Sequence, residues 1–91
     1  MLEEIKDALG ISADDKDGEL SIYITACETD MRRVGIGRIS EDDPAIVALV
    51  SLFCKSLLDW RGEGDKYHTA YEKMRDGLSL FGDYKETDCE A

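Results

Sequence analysis

The stretch SEDDPAIVALVSLFCKSLLDW, residues 40–60, decides the fold. Asp43 is placed to cap a helix and Pro44 to begin it, because proline has no N–H to leave unpaired in a first turn. Beyond them Ile46, Val47, Leu49, Val50, Phe53, Cys54, Leu57, Leu58 and Trp60 cover most of a helical circumference. Only Ser51, Lys55 and Asp59 draw a polar line. A helix apolar on nearly all sides has to lie among other helices. The segment is therefore predicted to be the central helix of an all-α domain.

The flanks supply its neighbours. Upstream, LEEIKDAL sets Leu2, Ile5 and Leu9 at helical spacing, with Gly10 as a stop, so a short opening helix is expected. From about Asp17 the residues Leu20, Tyr23, Ile24, Cys27, Met31 and Val34 step by three and four up to Gly35, a second helix with one apolar stripe. After RGEGD, with Asp65 as the expected cap, Tyr67, Ala70, Tyr71, Met74, Leu78 and Phe81 repeat the pattern in a fourth. No alternating run bounded by hairpin turns competes. The expected fold class is all-α, a small four-helix domain of one short N-terminal helix plus three longer ones over residues 1–84, and a flexible acidic tail is expected at 85–91.

Between the first two helices, ADDKDGELS (13–21) approaches a calcium loop. With Gly18 at the sixth position, however, the first ligand position is Ala13 and the twelfth, which must be a bidentate Glu, is Ile24. The run is better explained as capping: Asp14, Asp15, Asp17 and Glu19 bring acceptors and negative charge to the start of the second helix. No metal is expected.

Composition narrows the function. With 21 acids against 11 bases the 91-residue chain carries a net charge of −10, which repels nucleic acid and anionic membranes. No apolar run approaches the ~20 residues of a membrane span, and the start lacks the order of a signal peptide, so a soluble protein made in a cytoplasm is expected. A chain this short buries only about two-thirds of its surface and gains from association. Cys27, Cys54 and Cys89 are odd in number and nowhere form a Cys-x-x-Cys pair, so reduced thiols are expected, the first two on apolar helix faces.

Catalytic candidates are few. The lone His68 lies within helical reach of Asp65 and Glu72, but no nucleophile accompanies it, and a solvated face is the simpler assignment. The Gly-x-Gly of GIGR follows a helix instead of a strand, which removes the context of a phosphate loop. No enzyme and no cofactor are expected. The same stretch carries the basic cluster Arg32, Arg33 and Arg38, a candidate docking patch for an acidic partner surface, including a neighbouring copy.

In their order and spacing, LEEIKDALGIS, DGELSIYITACETDMRRVGI, DDPAIVALVSLFCKSLLDWRGEGD and GLSLFGDY resemble the small head-tail connector, or adaptor, proteins of long-tailed bacteriophages and prophages. The aromatic-Arg pair of that pattern is Trp60 and Arg61 here. The resemblance implies a structural protein of the virion, assembled in the host cytoplasm. It implies a closed ring of about a dozen copies under the portal protein, meeting a downstream connector or tail-completion protein. DNA would pass through without specific binding, for which acidic walls are suited. Arg32, Arg33, Arg38, Trp60 and Arg61 are then the candidate interface residues, with Trp60 the leading apolar one. The rival reading is a small acidic helical regulator that mimics nucleic acid; it requires acids along one face, whereas here they gather at helix starts and in the tail.

Overall fold

Asp43 and Pro44 do start a helix: in the computed structural model, which describes residues 1–80, the Asp43 carboxylate accepts the Ala45 N–H at 2.9 Å. That helix is α3 (Pro44–Leu57), and it follows α1 (Leu2–Leu9) and α2 (Asp17–Arg33). A 3-10 turn at Trp60–Gly62 leads into α4 (Gly64–Ser79). There is no β-strand among the described residues, and the chain is an all-α four-helix domain. Phe81, Cys89 and the expected tail at 85–91 lie outside the described residues.

Helix α3 is the hub. It packs against α1, α2 and α4, most extensively against α4, and its Ile46, Leu49, Val50 and Cys54 are fully buried. Leu20, Cys27 and Met31 of α2, Ile5 of α1 and Tyr71 of α4 close on it. Two expectations about these stripes need correcting. Ser51 is buried, not part of a solvated line, because its hydroxyl donates to the Val47 carbonyl at 2.8 Å and carries no unsatisfied donor into the core. Ala70, counted in the apolar stripe of α4, is exposed.

The end of α2 shows how a local signal shapes the loop. Gly35 adopts φ 99°, its N–H donates to the Arg32 carbonyl at 3.0 Å, and the Ile36 N–H donates to the Met31 carbonyl at 2.9 Å. This paired closure needs a left-handed residue, which glycine takes without a Cβ clash. Its consequence is tertiary: the chain turns back and Ile36 is driven wholly into the core.

Two helix starts differ from expectation. The residue before α2 is Lys16, and no side chain caps the helix there. Asp14 and Asp17 instead turn toward α1, where they meet Lys6. Asp65 does not cap α4 either; the helix begins one residue earlier, and the Asp59 carboxylate accepts the Gly64 N–H at 2.9 Å. In the first place the carboxylates found a charged partner, an ammonium; in the second the Asp59 carboxylate, from the preceding turn, takes the role expected of Asp65.

Candidate functional site

Charged side chains are organised into two clamps between helices and two exposed ends. The first clamp is Lys6, which only 5% exposure separates from full burial. Its Nζ donates to Asp14 Oδ1 at 2.7 Å and lies 2.9 Å from Asp17 Oδ1. These contacts, Asp14 foremost, raise the Lys6 pKa well above its ordinary value and lower that of Asp14. The acidic turn thereby fastens α1 to the start of α2.

The second clamp centres on Asp30. Tyr71 Oη donates to its Oδ2 at 2.6 Å, Arg75 Nη1 to the same oxygen at 2.9 Å, and Arg33 Nη2 to its Oδ1 at 2.6 Å. Burial pushes the Asp30 pKa up, but the hydrogen bonds from Tyr71, Arg33 and Arg75 outweigh it and hold the carboxyl at about 2. Behind it Cys27 lies 3.8 Å from the Tyr71 hydroxyl. Burial lifts both the Cys27 and Cys54 thiols to about 12, as suits inert core cysteines.

A pH dependence follows. Between the ordinary 3.8 and about 2, the unfolded chain binds a proton at Asp30 that the folded chain does not. Stability from this group is therefore complete above 3.8 and lost as pH falls toward 2. Urea unfolding across that window should show a steep fall in the parent and a shallower one in Asp30→Asn. Equal slopes would mean that Asp30 carries no pH-linked stability.

The five sequence-derived interface candidates fall at two separate places. Arg32, Arg33 and Arg38 are exposed around the C-terminal end of α2 and the following loop. Arg33 is partly committed to Asp30, whereas Arg32 and Arg38 make no ion pair among the described residues. Trp60 is half-buried and lines a groove with Ile11, Ala13, Asp15, Lys16 and Leu58, beside the start of α2. Next to it Arg61 is exposed and held at φ 56°. A 17-residue helix is about 25 Å long, so the arginine cluster and the Trp60–Arg61 pair sit at opposite ends of α2.

His68 stands half-exposed with Nε2 3.3 Å from Glu72 Oε2, one pair on a solvated helix face. Among the described residues no group of three His, Cys, Asp or Glu is arranged to hold a metal, and no helix is long and apolar enough to cross a membrane. Sequence reasoning missed Lys6, Asp30 and Arg75. Their one local signal was position, each bordering an apolar stripe, but their partners on other elements lie up to 45 residues away.

The domain thus ties two sets of charges into clamps between its helices and presents distinct exposed side chains at its two ends. The chain matches the family model described as "Phage connector protein" over residues 1–80, and it belongs to that family. No curated protein and no solved structure gives a significant match.

Proposed function

We propose that this chain is a head-completion adaptor of a tailed bacteriophage or prophage. In this reading it forms a ring under the portal protein after DNA packaging and offers the docking site for a downstream connector or tail-completion protein. The observation that carries the reading is membership in the phage connector family across residues 1–80. The arrangement of the two ends supports it. A ring is closed by a heterologous contact, in which two different surfaces of one subunit meet on neighbouring copies. Here the basic end holds Arg32 and Arg38, while Glu63 and Asp65 are exposed at the turn that carries Trp60 and Arg61.

Exposed ion pairs are worth about 0–1 kcal/mol each, so they would select register while Trp60 and its neighbours supply the cohesion. Isolated copies would then stay largely monomeric until the portal gathers them and raises their effective concentration. The acidic surface would let DNA pass without holding it.

The test reverses the basic end at the two arginines that make no ion pair among the described residues, Arg32→Glu with Arg38→Glu. The expected result is a folded protein by circular dichroism and particles that package DNA but fail to join tails. Normal infectious particles from this variant would remove the basic docking patch. Normal particles after deletion of the whole gene would remove the adaptor function itself.

A further inference from the structure

The outer side of α2 carries an apolar patch around Ile22 that no element among the described residues covers. Gly18, Ile22, Thr25, Thr29 and Arg32 recur at intervals of three and four, which places them on one side of the helix, and all are exposed. Residues 20–27 form an eight-residue run without a charge, in a chain that is 35% charged. Ile22 is 69% exposed and borders a shallow depression with Ser21, Thr25 and Ala26. The Thr29 hydroxyl donates back to the Thr25 carbonyl at 3.0 Å, so it makes no polar demand on a partner.

The charges flanking this face are what identify its occupant. Asp15 precedes α2 and Arg32 closes it; both are exposed, and neither makes an ion pair among the described residues. Laid antiparallel on a second copy, about the midpoint between Ile22 and Thr25, the helix meets its own complement. Ile22 then faces Thr25 and Gly18 faces Thr29, while Asp15, in the turn just before the helix, comes to the Arg32 end of the second copy, each contact occurring twice. Gly18 gives the facing Thr29 room, and the antiparallel macrodipoles attract.

We propose that two copies of this chain associate in solution through an antiparallel α2–α2 contact with twofold symmetry. One helix pair lies at the small end of specific interfaces, so the association is weak and needs high concentration. A twofold contact closes on itself and cannot build a ring. It is therefore separate from the ring contact, and its failure would leave the adaptor reading intact. Where that reading holds, the shared use of Arg32 makes pair and ring mutually exclusive.

Sedimentation equilibrium of the full chain with reductant, from micromolar to millimolar concentration, tests this. The weight-average mass should rise from 10.2 kDa toward that of two copies and stop there. Ile22→Glu should stay monomeric throughout, with Ile22→Ser as the milder substitution if circular dichroism shows the first variant unfolded. Arg32→Asp should weaken association about tenfold, and adding Asp15→Arg to it should restore the parent affinity. The proposal is overturned by a mass that stays at one copy at millimolar concentration, by growth past two copies, or by a double variant that associates no better than Arg32→Asp.

Discussion

Replacing Tyr71 by alanine should destabilise the domain by about 3–5 kcal/mol, the range for truncating a large buried aromatic ring. The ring is 1% exposed and meets Phe53 of α3 edge-on, with centroids 5.0 Å apart and planes at 62°. Its hydroxyl also reaches Asp30 on α2, so one side chain packs the core and ties together two helices with little other contact. A small domain has a total stability on the order of 5–15 kcal/mol, and the variant should be largely unfolded in mild urea. Tyr71→Phe separates the two roles. It keeps the ring, removes the donor to Asp30, and should cost about 1–3 kcal/mol, since Arg33 and Arg75 still serve that carboxylate. Denaturant midpoints for the two variants decide the matter: equal losses would mean that the hydroxyl, and not the ring, carries the contribution.

Gly64→Ala should destabilise by about 1–3 kcal/mol, the usual cost of overpacking. A Cβ at this position would lie 2.8 Å from the Ser56 carbonyl oxygen, 2.8 Å from Asp59 Oδ1 and 3.2 Å from Asp59 Cα. Two of these three atoms are backbone and cannot swing aside. Relief would have to come from opening the turn between α3 and α4, which would weaken the Asp59 hydrogen bond to the Gly64 N–H. A second glycine in α4 provides the opposite sign. Gly77 lies inside the helix with nothing within 4 Å of its would-be Cβ among the described residues. There alanine should stabilise by about 0.4–1 kcal/mol, by reducing the freedom of the unfolded chain. Thermal unfolding of the two variants reads both signs at once. A Gly64→Ala protein as stable as the parent would show that the α3–α4 turn is not tightly closed.

The order of the helices, the start of α3 at Pro44 and the closure of α2 at Gly35 were all legible because each is set by neighbours in the chain. Helical periodicity, a cap two residues from its N–H and a left-handed glycine act over a single turn. The burial of Cys27 and Cys54 followed from the same periodicity, and the family resemblance from the order and spacing of whole segments. The misread residues share another property: each had two chemically sound partners. Asp14 and Asp17 could cap α2 or meet a lysine, and Asp59 could face water or accept an N–H. Composition does not choose between such partners.

The tertiary structure made those choices, because a charged hydrogen bond is worth most where it is shielded from water, and shielding exists only once helices have packed. Thus Asp30 gathers Tyr71 and Arg75 from more than 40 residues away, and Lys6, its own side chain nearly buried, draws in an Asp14 carboxylate that stays exposed. The same packing separated the interface candidates, which in sequence were only a list, into a basic end and a tryptophan end. It also left Ile22 outside: on α2 the sequence marked the stripe that α3 would cover, but only the placement of the neighbouring helices decided that the opposite side, with Ile22, would stay uncovered among the described residues. Local chemistry determined which segments are helices and where they stop; the competition among distant partners for burial, resolved only on folding, determined which charges became internal and which surfaces stayed free.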